Sequence, residues 1–185
     1  MELQHAIYTR RATREFTSAA VDRPTLLRLI DAAIQAPSAV NEQPWSFTVV
    51  EDKEVLEQIS RESKAHNLRT PPKEIPSHRV LELLRDPGFD IFYGAPALIV
   101  ISSVVENQWA VENCALAAEN LMLAACAESL GTCWIGFAQM WLATPAGKAT
   151  LHVPPAWLPV APIIVGHPKS PPAPVPRKPA DVRWI

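Results

Sequence analysis

Apolar residues in the first third of the chain recur with the spacing of helices. Residues 3–9 predict a short helix, and a second helix is expected after Asp22, a good N-cap, with Pro24 in its first turn. The second helix is expected to end before Pro37, because the residue preceding a proline is disfavoured in the helical region. Its apolar positions are Leu26, Leu27, Ile30, Ala33 and Ile34.

The middle of the chain alternates between strand-like and helix-like segments. Residues 45–50 predict a strand, and the continuous apolar run 96–101 predicts a strand in the interior of a sheet. Residues 52–66 between them predict a helix with a polar face. Residues 67–78 carry three prolines and scattered charges, which indicates a mobile surface loop.

One predicted helix, from about residue 107 to residue 130, is apolar around almost its whole circumference. Gly131 is expected to close it at the usual glycine position past a helix end. A helix of this kind must be buried on most sides, so it is either central or at a subunit interface. Its narrow polar strips are Glu112/Asn113, Glu119/Asn120 and Glu128.

The last third of the chain predicts a strand at 133–137, a helix at 145–152 and a strand at 158–165. Pro159 and Pro162 lack the amide hydrogen that a sheet ladder uses. The last strand is therefore expected to be an edge strand or a swapped strand rather than a central one.

Chain length and tail composition set the expected domain organisation. The 185 residues suit a single domain, 1–185, which would bury roughly 70% of the surface of its unfolded chain. Ten of the nineteen prolines follow residue 150, so residues 165–185 predict a stiff, extended arm. Such an arm either hangs in solvent or lies across another surface.

Charge and composition exclude several classes of function. The formal net charge of −2 provides no basic field for nucleic acid, and no apolar run approaches the roughly 20 residues that span a bilayer. The N-terminal segment lacks the pattern of a secretory signal. Cys114, Cys126 and Cys133 form neither an even set nor a CxxC pair. We therefore expect a cytoplasmic protein, without membrane or nucleic-acid partners, whose thiols are reduced and buried.

The motifs of several enzyme classes are missing. The sequence contains no P-loop, no GxGxxG after a strand, no GxSxG and no HExxH. Its five histidines are isolated, so no metal site is expected. A bound cofactor is therefore expected to carry the reaction if the protein is an enzyme.

Three short segments carry candidate binding chemistry. Arg10, Arg11 and Arg14 place three guanidiniums within five residues, and guanidiniums offer paired donors to phosphate oxygens. Residues 36–45 set small and amide side chains between two prolines, while residues 131–137 contain a glycine that lets backbone approach a flat ligand closely. Each segment alone is better explained as ordinary structure: a solvated charge cluster, a helix-to-strand turn and a core strand.

In this order, however, these segments resemble the nitroreductase family of flavoproteins. The RRxxRxF opening, the APSxxNxQPW loop, the GTCWIG turn after an alanine-rich helix and the closing PIIVGHP…PRKP match its pattern over nearly the whole chain. The resemblance implies an α+β fold with a mixed central β-sheet packed among helices. It also implies an interlocked homodimer with an extended C-terminal arm and one FMN in each of two interface clefts.

The cofactor residues implied by the resemblance divide between the two chains of the dimer. One chain would supply Arg10, Arg11, Ala12, Arg14, Ile135, Gly136, Arg177 and Lys178, with Arg10 and the two tail residues on the phosphate. Its Ile135 and Gly136 would lie along the isoalloxazine ring, with the Gly136 amide facing N5. The partner chain would supply Pro37, Ser38, Ala39 and Asn41.

Two features depart from the family pattern. Position 12 is alanine where the family commonly carries serine. Between the third helix and the strand at residue 96 we find no counterpart of the asparagine and lysine that contact the flavin ring in larger members. Arg14 is therefore the candidate for a positive charge near N1 and the C2 carbonyl, where it would stabilise the anionic reduced flavin.

The activity implied by the resemblance is that of an FMN-dependent oxidoreductase with a ping-pong mechanism. NADH or NADPH would deliver hydride to flavin N5 and leave, and an oxidised small molecule such as a nitroaromatic or quinone would take its place. The alternatives are a relative that fragments flavin or reductively dehalogenates an aromatic, and a flavin-binding dimer without turnover. Phe89, Phe92 and Tyr93 are interpreted first as core residues and second as part of an acceptor pocket.

Overall fold

A four-stranded sheet lies between two layers of helices in the computed structural model, which describes residues 2–70 and 78–185 except for the side chain of His78. The strand order is β1-β2-β4-β3. The elements are α1 (Leu3–Thr9), α2 (Arg23–Ala33), β1 (Trp45–Val50), α3 (Lys53–Arg69), α4 (His78–Arg85), β2 (Ala97–Ser103), α5 (Ala110–Ala127), β3 (Gly131–Trp134), α6 (Gly136–Leu142), α7 (Pro145–Thr150) and β4 (Leu158–Gly166). The α+β class expected from the sequence is confirmed.

The sheet has a hydrophobic core on each face. On one face, Ile99 and Ile101 of β2 pack with Leu121 of α5 and with residues of α2. On the other face, Leu98 and Val100 pack with residues of α3 and α6. Alternate residues of β2 point to opposite faces, so a strand buried on both sides must be apolar throughout. The prediction of an interior strand here is confirmed.

The prediction that β4 is an edge or swapped strand is wrong, since β4 lies between β2 and β3. Pro162 accepts a hydrogen bond from the Ile135 amide at 2.8 Å. The backbone nitrogen and oxygen of one residue point to the same side of a strand. The Pro162 nitrogen therefore faces Ile135, just past the end of β3, where no strand residue needs its amide hydrogen. Pro159 lies beside a register shift opposite Ile101 and Ser102. Both prolines thus occupy positions where the ladder is already interrupted.

The parallel component expected of a mixed sheet is confined to one bridge. All three pairings between the named strands are antiparallel. The single parallel bridge among the described residues joins Ala12 to Thr132, outside the named strands on one side. Residues around Ala12 therefore continue the sheet beyond β3.

Helix α2 begins as predicted but buries a different face. The Asp22 carboxylate accepts a hydrogen bond from the Thr25 amide at 2.7 Å, which confirms the N-cap. The buried side chains are Leu26, Leu29 and Ala33, whereas Leu27 is 64% exposed. Ile34, also expected in the core, is exposed as well. The spacing of the apolar residues predicted the helix correctly, but it predicted only part of the face that the helix buries.

The end of α5 differs from the prediction. Ser129, with φ +62°, occupies the left-handed position past the helix, and the Leu130 amide bonds to the Ala125 carbonyl at 2.8 Å. Gly131 instead begins β3. The burial expected on most sides is not reached within one chain, because Leu116 is 46% exposed.

Several further boundaries differ from those expected. Residues 135–137, predicted as strand, form the N-cap and first turn of α6. Residues 67–69, predicted as loop, continue α3, and α4 begins at the last position of that predicted loop. Positions 71–77, where the mobile loop was expected, lie outside the described residues. None of the helices in the described part of the chain has the length and hydropathy needed to cross a bilayer.

Candidate functional site

Residues 10–17 form a strand-like segment between β3 and the start of the tail. Ala12 forms the parallel bridge to Thr132, and Phe16 forms an antiparallel bridge to Pro168. The segment is therefore held by backbone contacts on both sides. We call residues 10–17 the arginine segment, because three of its side chains are guanidiniums.

Two glycines allow the arginine segment to lie this close to the sheet. A Cβ at Gly131 would come within 2.6 Å of Thr13 Oγ1, and a Cβ at Gly166 within 2.7 Å of Phe16 Cδ1 and Pro96 Cδ. Real Cβ atoms do not tolerate such contacts, so any larger residue would force the segment away from β3.

The tail passes beside the arginine segment and forms a cleft with it. This arginine cleft has a volume of about 520 Å³, and Arg10, Arg11 and Arg14 share its lining with Arg177. Four arginines that the family resemblance assigns to one FMN, with Arg10 and Arg177 on its phosphate, therefore meet at one place. Ala12 also lines the cleft, whereas Lys178 does not.

The charges in this cleft are only partly compensated. Arg10 pairs with Glu119 of α5 at 3.4 Å, a contact that the sequence did not reveal. Arg11 donates through Nη1 to the Arg10 carbonyl at 2.7 Å. Its buried Nε has no acceptor among the described residues. A buried guanidinium nitrogen without a partner is costly. The cleft, lined by four guanidiniums, is suited to an anion.

The turn from β3 into α6, which contains Gly136 and is here called the glycine turn, follows the strand that the arginine segment borders. Ala12 pairs with Thr132 of that strand in the parallel sense, and the Thr13 amide donates to the Thr132 carbonyl at 2.9 Å. A Cβ built on Gly136 would meet no atom within 4 Å. As the first residue of α6, Gly136 has an amide that precedes the hydrogen bonds of the helix itself. The turn thus offers open space and a backbone donor.

The Ile135 side chain does not line this space. Ile135 is 3% exposed, lies in the core and donates its amide to Pro162. Of the two residues predicted to lie along a flavin ring, only Gly136 has the open surroundings that such a role needs.

The loop at residues 36–45 lies elsewhere on the surface. The Ala39 amide donates to Asn113 Oδ1 on α5 at 2.9 Å, and Ser38 Oγ accepts from the Gln43 amide at 2.9 Å. Pro37, Ser38, Ala39 and Asn41 do not line the arginine cleft. The residues predicted for one cofactor site therefore form two groups that a single chain does not bring together.

This loop also has unusual backbone geometry. Val40, Asn41 and Gln43 have φ angles of +47°, +56° and +50°. A β-branched residue in the left-handed region is strained, and Val40 is nonetheless 88% exposed. Hydrogen bonds within the chain hold the loop in this costly conformation, which leaves an apolar side chain exposed.

The titratable groups near the cleft give no sign of a thiolate nucleophile or a metal centre. Burial raises the pKa of the Cys133 thiol, although the charges of Arg14 and Arg10 act to lower it. Over residues 2–70 and 78–185, no cluster of His, Cys, Asp and Glu could hold a metal ion.

Comparisons with known proteins agree with this arrangement. A provisionally named NADH dehydrogenase/NAD(P)H nitroreductase of Methanothermobacter thermautotrophicus is 28% identical over 176 residues, which cover 93% of this chain and 80% of that protein. A nitroreductase with bound FMN from Desulfitobacterium hafniense DCB-2 is 24% identical with a TM-score of 0.84, over 100% of this chain and 99% of that one. Oxidised iodotyrosine deiodinase bound to FMN and 3-iodo-L-tyrosine is 25% identical with a TM-score of 0.79, over the same shares.

The sequence model of the Nitroreductase family matches residues 7–167. This match includes the arginine segment, the loop at residues 36–45 and the glycine turn. The chain belongs to the nitroreductase family.

Proposed function

We propose that this protein is an FMN-dependent oxidoreductase that takes electrons from NADH or NADPH and passes them to an oxidised small molecule, such as a nitroaromatic or a quinone. The observation that carries the proposal is the convergence of Arg10, Arg11, Arg14 and Arg177 on one cleft, in a chain whose open glycine turn follows the strand that the arginine segment borders. The FMN-bound nitroreductase and deiodinase of the same fold support FMN as the ligand.

The cleft fits the phosphate end of FMN. A phosphate offers several acceptor oxygens, which would accept hydrogen bonds from the exposed Arg177 guanidinium and from the other arginines of the cleft. Charge-assisted hydrogen bonds of this kind contribute roughly 1.5–3 kcal/mol each. Lys178 would strengthen the same contact from the tail.

The glycine turn fits the ring end of FMN. The position of a Cβ at Gly136 is open, so a flat ring would approach the backbone there, and the Gly136 amide would donate a hydrogen bond to N5. When bound, FMN supplies reversible two-electron chemistry that no side chain provides. The protein's part is to hold the ring, admit one substrate at a time and set the charge around the ring, which accounts for the ping-pong order.

Arg14 would set that charge. It is exposed and lines the arginine cleft, from which its guanidinium would stabilise negative charge on the reduced ring. An opposite charge nearby shifts an ionisation by about 1–3 units, so we expect Arg14→Ala to slow reduction by NAD(P)H roughly tenfold or more. FMN binding should weaken less, and Arg14→Lys, which keeps the charge, should retain most of the rate. Stopped-flow reduction and flavin titration measure the two effects, and equal losses in both would refute the tuning role.

The remaining half of the site would come from a second copy of the chain. Pro37, Ser38, Ala39 and Asn41 lie outside the arginine cleft of their own chain and would face the FMN of the partner. Exposed apolar side chains on α1 and α5 support such a homodimer, since contiguous apolar surface usually marks an interface. These side chains are Leu3, Ile7, Tyr8, Val111 and Leu116.

The experiment that tests the function starts from the purified protein. We expect it to be yellow, to sediment as a dimer and to bleach when NADH or NADPH is added without oxygen. An acceptor added afterwards should restore the yellow colour. Protein that bleaches with neither nucleotide would instead be a flavin-binding dimer without turnover, and oxygen-dependent loss of the flavin would indicate fragmentation. Colourless protein that takes up no FMN and sediments as a single chain would overturn the proposal.

Reductive dehalogenation is the second candidate function. The structural likeness to iodotyrosine deiodinase, at a TM-score of 0.79, favours it specifically. The same FMN site would then pass electrons to a halogenated aromatic. Halide release from 3-iodo-L-tyrosine by the reduced protein distinguishes this activity from nitroarene or quinone reduction.

A further inference from the structure

The turn between α4 and β2 is fixed in place by a lysine from α3. Lys64 Nζ donates to the carbonyl oxygens of Asp86 and Phe89, at 2.7 and 2.6 Å. It also lies 5.9 Å from the centre of the Phe89 ring. This single cation therefore ties the beginning of the turn to the body of the protein.

An aspartate fixes the second half of the same turn. The Asp90 carboxylate accepts hydrogen bonds from the Phe92 and Gly94 amides, both at 2.9 Å. Between those two amides lies Tyr93, which has φ +54° and is followed by Gly94 at φ +69°. An aromatic residue rarely adopts the left-handed region, so the surrounding hydrogen bonds impose this conformation on Tyr93.

The imposed conformation brings the Tyr93 ring to Arg14. The Arg14 guanidinium carbon lies 6.0 Å from the ring centre, at the outer limit of a cation–π contact. Tyr93 is half-buried and meets Phe89 edge-on, with ring centres 5.6 Å apart. The two rings thus lie between the cations of Arg14 and Lys64.

Arg14 and Arg10 are held in different ways. Arg10 pairs with a carboxylate, Glu119, which offsets its charge. None of the ion pairs in the described part of the chain involves Arg14. The face of an aromatic ring attracts a cation without cancelling its charge. A ring is therefore suited to hold a guanidinium whose full positive charge is needed elsewhere.

From this geometry we infer that Tyr93 is a positioning residue, which restrains the Arg14 side chain at the arginine cleft while leaving its charge available. The inference rests on the proposed function, in which Arg14 stabilises the reduced flavin. A long exposed side chain that is held in place acts more effectively on a developing charge than one that samples many rotamers.

The contact itself is tested in the protein without flavin. The Arg14 Nε–Hε signal, assigned by its loss in Arg14→Lys, should carry a ring-current shift. Tyr93→Phe keeps the ring and should keep the shift, whereas Tyr93→Asn should abolish it. Asparagine tolerates the left-handed backbone at this position, so the variant should fold normally. A signal unchanged in Tyr93→Asn would overturn the contact.

The role of the contact is tested with FMN bound. The midpoint potential reports the ratio of affinities for reduced and oxidised FMN, and we expect Tyr93→Asn to lower that ratio about two- to fivefold. Tyr93→Phe should match the wild type, and Tyr93→Asn should add no further change in an Arg14→Ala background. An unchanged ratio in Tyr93→Asn, or an equal loss in both backgrounds, would overturn the role. If the wild type took up no FMN, the proposed function would fail, and the measurement without flavin would still decide whether Tyr93 holds Arg14.

Discussion

The arginine segment and the loop at residues 36–45 differ in how completely their own chain supports them. The segment is bridged to Thr132 on one side and to Pro168 on the other, and it lines a cleft. The loop contains three left-handed non-glycine residues and exposes Val40. The arginine segment is therefore held on both sides by its own chain, whereas the loop leaves an apolar side chain available for contact with a second chain.

In the proposed function, this difference would prevent one chain from binding FMN fully. The four arginines of the cleft meet within one chain. The loop residues implied by the family resemblance have no such place in their own chain. A dimer would bring each loop to the arginine cleft of the other chain. FMN binding would therefore depend on dimer formation.

The largest expected effect comes from forcing the arginine segment away from β3. A Cβ at position 131 would lie 2.6 Å from Thr13 Oγ1, so we expect Gly131→Ala to lower the unfolding free energy. The loss should be about 1–3 kcal/mol, as for other overpacked sites. FMN binding should be lost with it. Urea unfolding and flavin titration measure the two quantities.

Gly136→Ala is the matched control for this substitution. Its Cβ would meet no atom within 4 Å, so the stability of the flavin-free protein should not change. Only FMN affinity should fall, because the methyl group would occupy the proposed ring site. A Gly136→Ala protein that bound FMN like the wild type would show that the ring lies elsewhere.

The next effect concerns the tail side of the arginine cleft. Arg177→Ala should weaken FMN retention about ten- to a hundredfold, since a charge-assisted hydrogen bond to phosphate is lost. Arg183 lies in the same tail but does not line the cleft, so Arg183→Ala should retain FMN normally. Flavin release on dilution measures both. Equal retention by the two variants would rule out the Arg177 contact.

A smaller effect tests the strained loop. Val40→Asn should raise the unfolding free energy of the single chain by about 1 kcal/mol, because asparagine tolerates a positive φ better than valine. The dimer should dissociate more readily, because an exposed apolar side chain is removed from the proposed interface. Val182→Asn, also at an exposed valine but without a positive φ and outside the arginine cleft, should show neither change. A Val40→Asn protein that lost stability would contradict the idea of stored strain.

The smallest effect lies away from both halves of the site. Burial raises the pKa of the Cys114 thiol to about 12, compared with about 8.5 in an unfolded chain. The folded chain then keeps a proton that the unfolded chain releases, so stability should fall as pH rises from about 8.5 towards 12. Unfolding measured between pH 8 and pH 10 should show a shallower decline in Cys114→Ala. Identical slopes in the two proteins would contradict the raised pKa.

The elements that the sequence predicted well are those with local causes. The Asp22 cap, the strand at 45–50 and the buried strand at 96–101 depend on neighbouring residues only. The central position of β4 was missed, because whether Pro162 is tolerated depends on where β3 ends. Ser129 occupies the left-handed position past α5 that was expected for Gly131. Gly131 instead has no room for a side chain, because Thr13 lies against it.

The contacts of the candidate site likewise divide into those that were expected and those that were not. The convergence of the arginine cluster with Arg177 was expected from the family resemblance. The pairing of Arg10 with Glu119 and the contact of Arg14 with Tyr93 join residues far apart in sequence. No local sequence pattern reveals either contact. Glu119 was noted only as part of a polar strip, and Tyr93 only as an aromatic residue.

A mixed dimer tests the shared site most directly. One chain would carry Arg10→Ala with Arg177→Ala, the other Ala39→Glu in its loop, and each variant alone should retain little FMN. In the mixed dimer one site inherits both defects and the other inherits none, so we predict one FMN per mixed dimer, bound as tightly as in the wild type. A mixed dimer that bound no more FMN than its parents would show that each chain builds its site alone.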